Sequence, residues 1–534
     1  MKIVINLLLL LVTLLPIHKL KADWASPVDV SQLATTIAPN DPQVAIDPAG
    51  NATAVWAFFD GSVFIIQGAK LPFGATTWIP TNNLTSTGLT TSRPQIAVDA
   101  SGNAVAVWER VDSGSGFTVI QAATLPFGSN SWIPATQNLS TTVNLSLFPE
   151  VAVDPAGNAV AVWQQFNGVS ISVRSAILPF GSSTWISTND PGIGADPVVA
   201  IDPFGNAVAA WSHFDGSNDI IQAATLKAHS TTWIPTSDLS ATGLDAMNPH
   251  IAIDRSGKAI VVWTRGNGVS NVVQGATLAP GSGTWMPTGD ISQSTATVGA
   301  ISSEVAVDPS GNAVIVWDLF DSISNVSLIQ ARYLSLTGAF GTISNLSDSG
   351  FLSESPEVVL DAYGNAVAVW DSDIGGQFVF QGSTLAFGST TWVRTSDLSE
   401  AGFNFMQSEP AISPFGYAVV VLSSTQIAGP DGSIKGTEGT FFGLAPPRNF
   451  GGETLLNKFL TQTDRINHLT WSASLDPTVK GYHIYRKGKR IATVSAHGPF
   501  VYNDHNRKKH PYTYSIRAFN AAGVESIPLT ITLK

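Results

Sequence analysis

The stretch PQIAVDASGNAVAVW, residues 94–108, recurs along the chain and decides the fold. It contains an apolar run, a turn of the form Asp-x-x-Gly-Asn, and a second apolar run that ends in Trp108. Gly accepts a positive φ, and Asp can bond the backbone two residues on, so the middle of each copy predicts a tight turn between two strands. The other seven copies, spaced by about 52 residues, begin at Pro42, Pro149, Pro197, Pro249, Ser303, Pro356 and Ser408.

Each copy has a second half, seen as IQAATLPFGSNSW at 120–132, and a third signature, seen as TWIPTSDLS at 232–240. The short runs rich in Val, Ile, Trp and Ala, separated by Gly and Pro, predict four strands per repeat. We name them strand a (VAVD), strand b (AVAVW), strand c (IQAATL) and strand d (TWIPTSDLS). Strands a and b are apolar on both faces, as is typical of a sheet packed between two neighbours.

Four-stranded units of this length, stacked side by side, predict an all-β fold, a β-propeller, with an open β-solenoid as the alternative. Residues 24–31 (WASPVDVS) read as a strand d without its other strands. The last copy supplies strands a and b and a candidate strand c near 434–442, with no strand d after it. We therefore predict an eight-bladed β-propeller over 23–443, closed by the N-terminal strand.

The strand a–turn–strand b signature resembles the NHL-type propeller repeat, and the split closing blade resembles WD-repeat propellers. Residues 444–534 resemble a fibronectin type III module, a β-sandwich, in which Trp471 matches the core Trp and Tyr512 the tyrosine corner. These resemblances imply folds and no substrate class.

Residues 1–22 combine a short basic start, an apolar core and Leu-Lys-Ala before Asp23, which predicts a secretory signal peptide; a membrane anchor is the alternative. The expected location is therefore secreted, periplasmic or at the cell surface. No later stretch is apolar for long enough to predict a membrane span. The absence of Cys excludes disulfides and a cysteine nucleophile. We expect a monomer.

The two predicted domains differ in charge. Residues 23–443 hold 11 basic and 34 acidic residues, whereas 444–534 hold 13 basic and 5 acidic ones. The basic residues cluster at 486–490 and 507–509, either as solvated hairpin loops or as a site for an anionic partner, such as an envelope polysaccharide or the acidic propeller itself. An acidic main domain on an exported chain argues against nucleic acid as a partner.

The residues that recur in every repeat are expected to be structural. The repeat Asp belongs to the turn, the Trp of strands b and d to packing between blades, and the Gln of strand c to a repeated hydrogen bond. Function is expected where the repeats differ. The second residue of each copy would surround one mouth of the central channel; this slot holds Gln43, Gln95, Glu150, Val198, His250, Glu304, Glu357 and Glu409.

The b–c loops are expected on the same side as this slot, and they also vary. The sequence therefore predicts a ligand site at this face, with a solvated rim as the alternative. The candidate ligand-binding residues are Glu150, His250, Glu304, Glu357 and Glu409 of the slot, and Glu109, Arg110, Asp112, His213 and Asp215 of the loops. Asp318 and Asp371 were assigned to the same loops.

We find no catalytic motif, no spacing typical of metal ligands and no cofactor signature, so no catalytic residue, metal or cofactor is predicted. The preferred interpretation is an exported, non-catalytic recognition or scaffold protein that binds a glycan or a protein. The alternatives are an exported glycan-active hydrolase or lyase that uses carboxylates at the channel mouth, and a purely structural envelope protein.

Overall fold

A computed structural model of the chain describes residues 24–31, 37–85, 88–399, 403–426, 432–441, 444, 447–458, 463–474, 476, 478–505, 511–521, 523, 525–526 and 528–533. These residues form strands, turns and bends, with no helix among them. The described residues therefore contain no helix that could cross a membrane. The predicted signal peptide and the basic residues 507–509 lie outside the described residues.

Strands a and b form the inner part of each repeat and pair as antiparallel neighbours. Strand a occupies Asn40–Ile46, Thr91–Val98, Leu145–Val153, Ala195–Ile201, Ala246–Ile253, Val298–Val307, Leu352–Leu360 and Phe403–Ile412. Strand b occupies Ala52–Phe59, Ala104–Val111, Ala159–Phe166, Ala207–Phe214, Ala259–Gly266, Ala313–Asp321, Ala366–Asp373 and Tyr417–Gln426.

Strands c and d complete each sheet in the order a-b-c-d. Strand c occupies Phe64–Leu71, Thr118–Leu125, Ile171–Leu178, Asp219–Leu226, Asn271–Leu278, Val326–Leu334, Phe378–Leu385 and Gly432–Thr440. Strand d occupies Ile79–Pro80, Ile133–Pro134, Ile186–Ser187, Trp233–Pro235, Trp285–Asp290, Ser344–Asn345 and Val393–Arg394. Strand d is shorter than TWIPTSDLS predicts, although later residues still bond to strand c, as Leu239 N–H does to the Ile221 carbonyl at 2.9 Å.

The last repeat takes its strand d from the start of the chain. Val28–Asp29 pairs antiparallel with strand c at 432–440, with Val28 opposite Gly436. The inner strands contact one another in chain order, and the strand at 403–412 also contacts the strand at 40–46. A parallel bridge between Ser327 and Leu352 joins the sixth and seventh sheets, and Gly192–Ile193 adds a short fifth strand to the third. The result is a propeller-like arrangement of repeated four-stranded sheets.

Large apolar side chains fill the space between neighbouring sheets, and Ala and Val alternate along strand b so that the sheets approach closely. The Trp side chains of strand b are buried. The Trp side chains at the start of strand d or just before it are also buried, except that of Trp392, which is partly buried. Trp132 donates its indole N–H to Thr81 Oγ1 in the preceding repeat, at 3.1 Å. The predicted packing role of the repeated Trp residues is thus confirmed for the described sheets.

The turn between strands a and b is held by its Asp. Asp99 is buried and accepts hydrogen bonds from the backbone N–H groups of Ser101 and Asn103, each at 2.8 Å, and from Asn103 Nδ2 at 2.7 Å. The next repeat presses on the same carboxylate, since a Cβ on Gly157 would lie 2.9 Å from Asp99 Oδ2. The repeat Asp is therefore a structural residue, as predicted.

The Gln of strand c is likewise bonded within its own repeat. Gln121 Nε2 donates to Asn138 Oδ1 at 2.9 Å, and Gln274 Nε2 donates to Asp290 Oδ1 at 2.7 Å. The same bond recurs from Gln67, Gln222, Gln330 and Gln381. These amides are satisfied in the way that the repeat predicts.

The C-terminal residues form two further antiparallel sheets. The three-stranded sheet contains Arg448–Lys458, Thr463–Ser472 and Val501–Asp504; the four-stranded sheet contains Lys489–Ser495, Val479–Arg486, Tyr512–Asn520 and Leu529–Leu533. Trp471, Tyr482 and Tyr514 are buried in one apolar core between them. The Tyr514 hydroxyl donates to Asp504 Oδ2 at 2.6 Å and accepts from Asn467 Nδ2 at 2.8 Å.

Candidate functional site at the channel mouth

Each inner strand carries a β-bulge before its slot residue, directly before it except in the sixth and eighth repeats, where the bulge lies at 300–303 and 405–407. In the second repeat Ser92 pairs with Glu109 and Gln95 with Val107, so two residues oppose Trp108 alone. Positive φ angles of 46° to 55° occur two residues before the slot at Asp41, Arg93, Phe148, Asp196, Asn248 and Ser355. Non-glycine residues adopt this conformation at a cost, and bulges commonly re-aim side chains next to functional sites.

Neighbouring repeats satisfy the N–H groups of these bulges. Phe148 N–H donates to Glu109 Oε1 at 2.9 Å, and Asp196 N–H donates to Gln164 Oε1 at 3.0 Å. Asp41 N–H donates to Gln407 Oε1 at 2.7 Å. A side chain from one repeat thus fixes the backbone of the next at the rim of the mouth.

The slot residues of five repeats enclose one side of this mouth. A cavity of about 340 Å³ is lined by Gln43, Gln95, Glu150, Glu357 and Glu409, together with the bulge residues and the neighbours Asp41, Arg93, Phe148, Ser355, Asp371, Phe380, Gln407 and Ser408, and by Pro42, Pro94 and Pro149. Gln43 Nε2 donates to Glu409 Oε2 at 3.4 Å across the boundary between the first and last repeats. The structure therefore brings three predicted carboxylates to one cavity.

Burial and mutual repulsion keep these carboxyl groups protonated above their ordinary range. Desolvation, partly offset by the charge of His250, raises the pKa of Glu150 to about 7. Desolvation also raises the pKa values of Glu357 and Glu409, and the other slot carboxylates add to the effect. Because each ionisation opposes the next, the three groups share fewer than three negative charges near neutral pH.

The opposite side of the mouth carries an ion pair. His250 Nδ1 lies 2.5 Å from Glu304 Oε1, with side-chain exposures of 36% and 23%. Burial acts to lower the pKa of His250, but the charge and hydrogen bond of Glu304 outweigh it and raise the pKa. The slot of the fourth repeat holds the apolar Val198. The charges on this side of the mouth therefore come from the fifth and sixth repeats, through His250 and Glu304.

A second cluster of acidic residues consists of Asp318, Glu354 and Asp371, of which Asp371 lines the cavity. Desolvation raises the pKa of Asp371 to about 7, and the charges of Glu354 and Asp318 add to it. Desolvation also raises the pKa of Asp318, although Ser302 N–H and Oγ donate to its Oδ1 at 2.7 and 2.9 Å. The sequence placed Asp318 and Asp371 in b–c loops; the structure places both on strand b, directly after its Trp.

The predicted loop residues are held by their own surroundings and do not line the cavity. Asp215 is exposed and Asp112 is half-buried, and each accepts backbone N–H groups of its own turn, which lowers its pKa. Arg110 and His213 lie on strand b and not in a loop as predicted. Arg110 Nη1 donates to Gln121 Oε1 at 3.4 Å, and His213 Nδ1 lies 2.8 Å from the Ile193 carbonyl.

Glu109 is buried and fully engaged at the rim. Its carboxylate accepts from Ser92 Oγ at 3.0 Å, from Arg93 Nη1 at 3.3 Å and from Phe148 N–H. The guanidinium of Arg93 also stacks over the Phe148 ring, 4.3 Å from its centroid. Glu109 therefore positions Arg93 and Phe148, two of the residues that line the cavity.

Sequence reasoning missed the bulge residues, above all Arg93, Phe148 and Ser355. A signal was present, since a Pro follows each of them directly before the slot. Only the structure shows that this Pro marks a bulge whose preceding residue faces the cavity.

The described residues contain no group of three or more His, Cys, Asp or Glu side chains arranged to hold a metal ion.

Comparison with known proteins identifies no family. No family model matches the chain, and no curated protein matches it. Among solved structures, the α-L-arabinofuranosidase Arb93A from Fusarium graminearum is similar at 11% identity and a TM-score of 0.36, over 55% of this chain and 92% of its own. The polysaccharide lyase Uly1 is similar at 8% identity and a TM-score of 0.42, over 80% of this chain and 94% of its own.

A protein of unknown function from Dyadobacter fermentans is similar at 10% identity and a TM-score of 0.40, over 79% of this chain and 99% of its own. At these scores the likenesses do not bear on the activity of this chain.

Proposed function

We propose that the protein is an exported glycan-active enzyme, a hydrolase or lyase, with its site at the channel mouth. The observation that carries this proposal is the set of carboxyl groups, Glu150, Glu357 and Glu409, that share one cavity with raised pKa values. A carboxyl group that titrates near neutral pH can donate a proton to a leaving oxygen, while an ionised neighbour accepts one.

The proposal extends to the architecture. We propose that the repeated sheets form an eight-bladed propeller closed by the N-terminal strand, and that residues 444–534 form a fibronectin type III-like module. The pairing of Val28–Asp29 with the last strand c supports the first statement. The three-stranded and four-stranded sheets around Trp471 support the second.

The proposed chemistry divides the cavity into roles. Glu409, whose pKa is raised to about 8, holds its proton near pH 7 and acts as the acid. Glu150, whose pKa is about 7, is ionised more of the time and acts as base or nucleophile. Phe148, on the same cavity, offers an aromatic surface on which a sugar ring can stack.

The experiment is a panel of neutral, uronate-containing and amino-sugar polysaccharides incubated with the mature chain. New reducing ends alone indicate hydrolysis, and an unsaturated, ultraviolet-absorbing product indicates a lyase. We expect Glu150→Gln to reduce the rate about 100-fold or more. Glu453→Gln, which removes an exposed carboxylate of the C-terminal sheets, is the matched control and leaves the rate unchanged. Product formation that survives Gln at positions 150, 357 and 409 together contradicts the proposal.

A second candidate is non-catalytic recognition of a glycan by the same cavity. The Arg93–Phe148 stack favours it, because a rim held by Glu109 provides polar and aromatic contacts that require no proton transfer. Saturable glycan binding without any product, abolished by Phe148→Ala, would select this candidate over the enzyme.

An anionic partner for the basic hairpin remains a separate proposal. Arg486 is already engaged by Asp504, with Nη1 2.8 and 2.7 Å from its two oxygens, and Lys487 lies over the Tyr512 ring. Lys489 and Arg490 are exposed and would supply the contacts. Retention on an anionic polysaccharide resin that is lost on K489Q/R490Q would support this partner.

A further inference from the structure

The charges that line the channel-mouth cavity are strongly unequal. Its carboxyl groups belong to Asp41, Glu150, Glu357, Asp371 and Glu409, whereas Arg93 is its one basic residue among the described residues. The guanidinium of Arg93 is already paired with Glu109 at 3.3 Å. A neutral ligand would leave this excess of carboxyl groups uncompensated, and an anionic ligand would be repelled.

One of these carboxyl groups is buried and incompletely bonded. Asp371 is only 9% exposed, and its Oδ1 has no hydrogen-bond partner among the described residues. The hydroxyl of Ser355, the bulge residue of the same repeat, bonds to the carboxyl group. A buried acceptor oxygen without a donor is costly unless a ligand supplies one.

The counterpart of Asp371 in the second repeat shows what this position does when it is satisfied. Glu109 also follows the strand-b Trp directly, and it is bonded to Ser92, Arg93 and the N–H of Phe148. In the seventh repeat Ser355 replaces the Arg of the bulge. Asp371 thus has the burial of Glu109 without its cationic partner.

We propose that the cavity binds the free ammonium group of an amino-sugar residue, with the Asp371 carboxyl group as an acceptor and Glu357 and Glu409 as neighbouring carboxylates. This inference rests on the proposed glycan activity and names its substrate class. The three carboxyl groups line the same cavity and offer acceptors to the ammonium group, whose positive charge offsets the acidic lining. N-acetylation removes that charge, so the acetylated sugar is discriminated against.

The test measures calorimetric binding of two probes, a β-1,4-linked glucosamine tetrasaccharide and its fully N-acetylated form. We expect saturable binding of the first and at least tenfold weaker binding of the second. Asp371→Asn should weaken the glucosamine probe about tenfold or more, because a charge-assisted bond is lost. Glu453→Gln is the control and binds like the unchanged protein.

A second measurement on the unchanged protein is independent of whether Asp371→Asn folds. Binding at pH 7 in two buffers of different ionisation enthalpy reports protons released. Bound ammonium favours the ionised forms of Asp371, Glu357 and Glu409, whose charged neighbours are Asp318, Glu354, Glu150 and the His250–Glu304 pair. We expect net proton release, and binding without it overturns the proposal.

Equal affinity for the two tetrasaccharides, or no saturable binding of the glucosamine form, also overturns the proposal. Binding of spermidine with no binding of glucosamine would move the ammonium from a glycan to a small polyamine and overturn the substrate class. Cleavage of neutral glycans that depends on Glu150 would leave the proposed enzyme intact while this inference fails. Glucosamine binding that depends on Asp371, with no polysaccharide cleaved, would leave the inference intact while the enzyme fails.

Discussion

The turn Asp at the end of each inner strand and the slot carboxylates that face the channel mouth lie only four residues apart in the repeat. At the turn, Asp99 accepts three hydrogen bonds from its own turn and packs against a glycine of the next repeat. At the mouth, Glu357 and Glu409 line a cavity, where burial raises their pKa values and the charges of Glu304 and Glu150 raise them further. The same functional group thus stabilises the fold where its partners are built in, and costs stability where they are not.

This contrast explains why the turn Asp is repeated while the slot residue varies between repeats. A turn that supplies its own donors can be copied into every repeat at no cost. A carboxyl group that depends on groups across a channel cannot, because eight such charges in one ring would repel one another. Residues that vary between repeats at the mouth are therefore the ones free to serve a ligand.

The largest expected effect is at the turn. Asp99→Ala leaves the N–H groups of Ser101 and Asn103 and the Asn103 amide without their acceptor in a buried position. At about 1–3 kcal/mol for each unsatisfied buried group, we expect a loss of roughly 3–5 kcal/mol. Chemical denaturation measures it. A loss below about 1 kcal/mol would contradict the structural role of the repeat Asp.

A glycine pair separates crowding from backbone conformation in one repeat. Gly157 and Gly168 have φ of +93° and +91°, but a Cβ on Gly157 would lie 2.5 Å from Phe180 Cδ2, whereas on Gly168 it would meet nothing within 4 Å. We expect Gly168→Ala to cost about 1 kcal/mol and Gly157→Ala roughly 2–4 kcal/mol. Equal melting temperatures for the two variants would show that the turn at Gly157 is not crowded by its neighbours.

At the mouth the expected change has the opposite sign. The folded pKa of Glu409 is about 8, above the ordinary value of 4.5, so the folded state binds the proton more tightly. Its contribution to stability is present at low pH and is lost as the pH rises from about 4.5 through 8. Glu409→Gln should therefore increase the free energy of unfolding at pH 8.5 by on the order of 1–2 kcal/mol. The melting temperature should rise at pH 8.5 and not at pH 4.5.

The matched control for this pH series is Glu453→Gln, whose curve should follow that of the unchanged protein at every pH. If Glu409→Gln melts below the unchanged protein at pH 8.5, the ionised carboxylate has a partner, and the contrast between the turn and the mouth fails.

The smallest effect is expected in the b–c loops. Asp215 is exposed and bonds only within its own turn, to the N–H groups of Ser217 and Asn218, at 2.8 and 2.9 Å. Asp215→Asn should change neither the melting temperature nor ligand binding measurably. Loss of glycan binding in this variant would extend the site from the cavity onto the loops.

The repeat made most of the strand positions predictable, because the spacing of apolar runs and of Gly survives in each copy. The slot was predictable for the same reason, since a fixed position in a repeat takes a fixed place in the arrangement. The bulges were not, because φ at Phe148 or Ser355 depends on the neighbouring repeat that bonds their N–H groups. The placement of Asp371 was missed because nothing in its local sequence shows where strand b ends.

The short strand at Val28–Asp29 has a consequence for how the molecule is made. Ser31 Oγ accepts a hydrogen bond from Ile434 N–H, across 403 residues of chain. Synthesis delivers the first of these residues early and the second only when the last repeat is complete. Until then the first strand has no sheet to join. The last strand c, once made, exposes an unpaired edge until that strand arrives. Proteolytic loss of residues 24–31 would make this exposed edge permanent and favour pairing with another chain.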